Sequence, residues 1–212
     1  MKNLRTILSL ALMCTLIGNL QSQDMKAQIN DWPETAKKAA EAMMEKYGEP
    51  TEQIPSLLIW KNTGPFTHTM VYKEEIQHDF PMPHKDVLEQ VLNYDVPVDK
   101  YDDLAEFDGS VIVERTQGTM AARCDKEAAN ILALNLANDI IKGTKSVQEA
   151  REFYGEAMMA MLKGDKKDYL KKLQFDVTKT NVTNTDETTM DMSMVKKLKG
   201  EMKEKDMKMN KK

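Results

Sequence analysis

Between Asp125 and Gly143 the chain carries a segment that is apolar nearly all the way round. Ala128, Ile131, Leu132, Leu136, Ala137, Ile140 and Ile141 leave no continuous polar face. Such a helix must be covered on most sides, and a sheet is its natural partner. Asp125 stands at the N-cap position and Gly143 where the helix must end. Just upstream, Ser110 to Cys124 folded about Gln117-Gly118 is the clearest hairpin signal. Pairing Thr116 with Thr119 places Val111, Val113, Arg115, Met120, Ala122 and Cys124 on one face. Ile112, Glu114, Thr116, Thr119, Ala121 and Arg123 then share the other. The expectation is that the apolar helix lies on the first face and hides Cys124.

Further elements follow from periodicity. Asp31-Trp-Pro-Glu34 opens a helix in which Ala36, Ala39, Ala40, Met43, Met44 and Tyr47 recur at helical spacing, and Gly48 and Pro50 stop it. Leu57–Trp60 and Thr67–Tyr72, joined through Asn62-Thr-Gly-Pro65, read as a hairpin, with a further short strand over Ile76–Phe80. Residues 84–96 fit either period. Val87, Leu88, Val91 and Leu92 suit a helix, whereas Leu88, Gln90, Leu92, Tyr94 and Val96 suit a strand; a short helical turn passing into a strand is expected. Asp99–Phe107 reads as a short helix capped by Asp99. Ser146-Val-Gln-Glu149 is a capping box for a last helix with Phe153, Ala157, Met158, Met161 and Leu162 on its buried stripe. The fold class expected is α+β. An antiparallel sheet of four to six strands is covered on one face by the two C-terminal helices, with an N-terminal helix besides.

The ends differ from the middle. Lys2 and Arg5 precede an uncharged apolar run, Ile7–Ile17, too short to span a bilayer of about 30 Å. Residues 1–23 therefore read as a signal peptide, which implies a periplasmic or secreted protein. Lipidation at Cys14 is disfavoured, because Met13 precedes it and the apolar run continues beyond. Residues 24–175 form one α+β domain. Residues 176–212 lack apolar periodicity, pass from Thr-rich to Lys/Met-rich, and are expected to be disordered. Both ends carry net positive charge, so the middle is more acidic than the overall charge of -4. That argues against a nucleic-acid surface, which needs a clustered basic face. Membrane contact is confined to the signal segment or the basic tail. Without the signal a single cysteine remains, so no internal disulfide supports the core.

The stretches HDFPMPHKDVLEQ, DGSVIVERTQGTMAARCDKEAANILALNLANDI and VQEAREFY are similar to a family of small bacterial proteins of no assigned function. The resemblance runs from Trp60 to about Phe175. It implies no reaction, cofactor or catalytic residue.

Several residues invite a chemical reading. Cys124 is a thiol on an apolar strand face, where a buried structural role is the plain expectation. His68, His78 and His84, with Asp79 nearby, are types that ligate transition metals. Their spacing matches no closed site, and the prolines of Phe-Pro-Met-Pro are not expected to aim two rings at one point. If the domain has a ligand pocket, Trp60, His78, His84 and Tyr94 form its rim, with Arg115 as an anion holder at its mouth. The acidic stretch Asp95–Asp108 lacks the spacing of a calcium loop. Met190, Met192 and Met194 are soft donors suited to Cu(I). No phosphate loop, nucleophile elbow or zinc-protease motif occurs, and no cofactor is expected. The leading expectation is a non-enzymatic envelope module that binds a small ligand or a protein. The alternatives are a small enzyme using Cys124 or the His78/His84 loop, and a copper-handling protein using the Met-rich tail.

Overall fold

The computed structural model describes residues 29–165, 167–177 and 182–209, with side chains through residue 204. The N-terminal segment read as a signal peptide lies outside the described residues. The fold is α+β, built on a six-stranded antiparallel sheet. In chain order come α1 (Glu34–Tyr47), β1 (Glu52–Ile54), β2 (Leu57–Thr63), β3 (Phe66–His78) and β4 (His84–Asn93). A 3-10 turn at Val98–Lys100 then leads into α2 (Tyr101–Phe107), β5 (Val111–Glu114), β6 (Thr119–Cys124), α3 (Glu127–Lys142) and α4 (Val147–Leu162). A second 3-10 turn at Asp168–Leu170 and α5 (Met192–Met209) follow. The strand order is β1-β2-β3-β4-β6-β5.

Residues paired across the sheet share a face. Leu58 pairs with Val71, Val71 with Leu88, Leu88 with Cys124, and Val111 with Ala122. This face carries two apolar clusters. Under α1, Ala36, Ala39, Ala40 and Met43 meet Leu58, Trp60, Val71 and Leu88. Under α3, Leu132, Ala133 and Leu136 belong to a cluster with Leu92, Val111, Met120 and Ala122. α4 packs beside α3 and α2, adding Ala150, Tyr154 and Ala157. A buried polar track separates the clusters. Asn130 Nδ2 donates to Gln90 Oε1 (3.3 Å), Gln90 Nε2 to Thr69 Oγ1 (3.4 Å), and Thr69 Oγ1 meets Thr63 Oγ1 at 2.7 Å. Buried polar groups need such partners.

Local expectations fared unevenly. The Ser146–Glu149 capping box forms in full, and Gly143 closes α3 in the left-handed conformation. α3 begins one residue later than expected, after Lys126 rather than Asp125. Pro33, not Asp31, precedes α1, and Asp99 lies within the 3-10 turn that leads into α2. Residues 84–93 are strand from the first residue, with no helical turn. The β5–β6 hairpin pairs Glu114 with Thr119, two residues from the expected register. A slip of two keeps every side chain on its face, so Val111, Met120, Ala122 and Cys124 still point inward. Arg115, however, falls in the loop, where Gly118 takes φ +71°. Met192–Met209 is helical, with its apolar side chains Met194, Leu198 and Met202 exposed.

Leu132 is fully buried where α3 meets the sheet cluster. Truncating such a leucine leaves a cavity. Leu132→Ala is expected to lower the unfolding free energy by roughly 2–5 kcal/mol, read from urea denaturation.

Candidate functional site

Side chains alternate along a strand, so His84, Asp86 and Leu88 of β4 project on the same, helix-covered face. β3 brings His78 opposite His84. That meeting depends on an irregularity in β3 between Val71 and Ile76, where five steps along β3 are matched by two along β4, from Leu88 to Asp86. The odd offset turns the end of β3 over. Without it His78, seven residues beyond Val71, faces the other side. β6 supplies Cys124 opposite Leu88. The loop between α2 and β5 supplies Asp108 and Ser110. Arg151 of α4 holds the Phe80 end of the 79–83 turn. Its guanidinium lies 4.0 Å from the Phe80 ring centroid and donates to Phe107 O at 2.6 Å.

The result is a cluster of two imidazoles around one carboxylate. The rings of His78 and His84 stand 4.9 Å apart. Asp86 is 2% exposed, and each of its oxygens faces one ring: Oδ1 lies 3.1 Å from His84 Nε2 and Oδ2 3.3 Å from His78 Nδ1. Ser110 Oγ donates to Oδ2. Oδ1 accepts no hydrogen bond; His84 Nε2 is near enough for an ion pair but misaligned for a bond. The outer nitrogens face acceptors. His84 Nδ1 is 2.8 Å from Met82 O, which as an acceptor takes its N–H, and His78 Nε2 is 3.7 Å from Asp108 Oδ1. One donor atom from each of His78, His84 and Asp86 can be chosen so that all lie within 4.8 Å of one another.

Cys124 stands at the edge of this cluster, with Sγ 3.3 Å from His84 Nε2 and 3.5 Å from Asp125 Oδ1. Burial pushes its thiol up, against the pull of the adjacent imidazole. The Asp86 carboxylate first, then the Cys124 sulfur and the Met82 carbonyl, raise His84 to about 11 in spite of burial. Burial likewise raises Asp108. Among the described residues neither Asp86 nor Asp108 has a Lys or Arg within ion-pair distance, so the imidazoles are their counter-ions.

The rim expected from the sequence does not assemble. His78 and His84 come together; Trp60, Tyr94 and Arg115 do not join them. Trp60 is buried under α1 and donates to Gly48 O at 2.8 Å. Tyr94 lies beyond the far end of β4, about 30 Å from His84 at roughly 3.3 Å per residue, and donates to Asn138 Oδ1 at 2.8 Å. Arg115 ion-pairs with Asp186 of the C-terminal segment. His68 sits opposite Val91, on the other face of the sheet, and Asp79 bonds Gln77. Met192 and Met194, two apart on α5, point to different sides of that helix. The residues the sequence reading missed are Asp86, Asp108 and Ser110. A His-x-Asp spacing at the start of a strand is the signal that finds the first of them.

No family model, no curated protein and no solved structure matches the chain.

Tyr154, in the cluster beneath Phe80 and Phe107, is 2% exposed, and burial raises its phenol well above 10.0. The fold keeps this proton when the unfolded chain has lost it. Its contribution to stability is therefore whole below about pH 10 and declines as pH rises further. Urea unfolding between pH 8 and 11 is expected to show this decline, and Tyr154→Phe to flatten it.

Proposed function

We propose that this protein binds a divalent transition metal of the zinc class through His78 Nδ1, His84 Nε2 and the Asp86 carboxylate. The observation that carries the reading is Asp86 Oδ1. A buried carboxylate oxygen without a hydrogen bond is costly, and this one faces an imidazole nitrogen that is not aligned to bond it. A cation between the two satisfies both. Metal–nitrogen and metal–oxygen bonds near 2.0–2.2 Å in a tetrahedron separate the donors by about 3.4 Å. The 3.1 Å between Oδ1 and His84 Nε2 is close to that; His78 Nδ1 stands 3.3 Å from the other oxygen, Oδ2, and one donor atom from each residue lies within 4.8 Å of the rest.

The outer contacts support the same reading. An N–H given to a carbonyl or carboxylate frees the inner nitrogen of a histidine for metal and holds its ring in place. Met82 O does this for His84 and Asp108 stands behind His78. Nitrogen-rich donors suit zinc, cobalt, nickel or copper, whereas calcium takes six to eight oxygens. Side-chain exposures of 18% for His78 and 14% for His84 leave a route from solvent. Read with an N-terminal export signal, binding takes place outside the cytosol.

A second reading makes Cys124 and His84 a nucleophile pair, favoured by their 3.3 Å contact. Against it stand the buried sulfur, its raised pKa, and an Nε2 that also faces Asp86. The two readings part on reactivity. In the metal reading, native Cys124 alkylates with iodoacetamide at neutral pH at least tenfold more slowly than the urea-unfolded chain. Alkylation as fast in the folded protein favours the nucleophile.

The binding test uses the full chain stripped with chelator and titrated with Zn2+ by calorimetry. One equivalent is expected to bind. Asp86→Asn and His84→Ala are each expected to weaken binding by about 100-fold or more, since even outer-shell changes cost 10–100-fold. Absence of binding, or affinity indifferent to both substitutions, overturns the proposal.

A further inference from the structure

We infer that Cys124 supplies the fourth ligand of this site, as thiolate, and so restricts it to thiophilic, four-coordinate cations. The inference rests on the metal reading above and specifies the coordination and metal class. Three protein donors leave one tetrahedral position. The nearest soft donor is Cys124 Sγ, which stands outside the His78–His84–Asp86 set but 3.3 Å from His84 Nε2, a spacing close to the edge of a zinc-sized tetrahedron; Ser110 Oγ is nearer to Asp86 but is a neutral hydroxyl already bonded to Oδ2. Nε2 thus has a carboxylate oxygen at 3.1 Å and a sulfur at 3.3 Å at once. A single ring nitrogen, with one proton or one lone pair, cannot serve both well. A cation shared by all three can.

The fold holds the sulfur in place. Cys124 ends β6, paired with Leu88, which is the next residue after Asp86 on the same face of β4. Its side chain is nearly buried, and its one other polar partner is the Asp125 carboxylate, to which the thiol donates. The independent sign of a ligand here is the orphaned Oδ1 of buried Asp86. On binding, the S–H bond breaks, a metal–sulfur bond forms, and the proton leaves to solvent; nothing is oxidised or reduced. Thiolate favours zinc, cobalt or Cu(I) and disfavours magnesium, calcium and manganese.

Cobalt(II) tests this directly. The full chain carrying Cys14→Ser, so that the only sulfur thiolate is Cys124, is stripped and titrated with Co2+. The expected spectrum combines visible bands of four-coordinate cobalt with a near-ultraviolet sulfur-to-cobalt charge-transfer band. Adding Cys124→Ser is expected to abolish the charge-transfer band, keep visible bands, and weaken Zn2+ binding by about 10-fold or more. Visible bands without charge transfer in the Cys124 protein overturn the fourth-ligand inference and leave the three-ligand site standing. No cobalt bands, together with no Zn2+ binding, overturn both. Because the first spectrum needs no change at Cys124, the outcome does not depend on whether the serine variant folds.

Discussion

The antiparallel pairing of β4 with β3 on one side and β6 on the other is the interaction from which the rest follows. β4 is the central strand, and its register sets what each neighbour presents. Opposite His84 it places His78; opposite Leu88 it places Cys124. The same register lines Leu88, Gln90 and Leu92 beneath the helices, giving α1 one apolar cluster and α3 another. The track from Thr63 to Asn130 lies where the two meet. Main-chain bonds of the sheet therefore do two tasks at once. They build the platform that α3 must cover, and at the His84 end of β4 they gather titratable groups.

What makes those groups unusual is the sign of their charge. Asp86 and Asp108 are nearly buried, and their cationic neighbours are imidazoles rather than lysine or arginine. A buried carboxylate without a firm counter-ion is strongly penalised. In this chain the Asp86 carboxylate, with the Cys124 sulfur, favours a proton on His84 and pushes its pKa up to about 11. A proton and a divalent ion meet the same electrostatic need, and Oδ1 of Asp86 is left without a hydrogen bond. By contrast, Glu89 on the other sheet face is answered by an arginine, with Arg123 Nε donating at 3.0 Å and Tyr72 adding a further bond. That is an ordinary structural ion pair with its donors aligned.

Much of the fold was legible. The apolar run of α3, the Ser146 capping box and the β5–β6 hairpin all appear where periodicity and turn chemistry place them. Local signals suffice there because a helix stripe or a hairpin is made by residues close in sequence. The hairpin register missed by two residues, since a four-residue loop and a two-residue loop are built from similar turn residues. Strand β4 was harder. Being covered on both sides, it lacks clean alternation, and its apolar residues satisfy a helical period as well. Reading it as strand only from its middle hid the relation between His84 and Asp86.

The sequence by itself determined the class of fold, the main helices with the Ser146 capping box and the Gly143 stop, and the burial of Cys124, because each rests on hydrophobic period or on turn chemistry within a few residues. Tertiary structure alone decided the site. His78 and Cys124 lie 46 residues apart, and His84 and Cys124 40; only strand pairing brings them near. His78 faces the cluster because β3 breaks its alternation after Val71, and such an irregularity leaves no mark in a pattern of apolar and polar residues. Trp60 and Tyr94 looked equally suited to a pocket rim, yet the sheet carries one under α1 and the other to its far end. Residue type states what chemistry a side chain can do, whereas long-range register determines which side chains do it together.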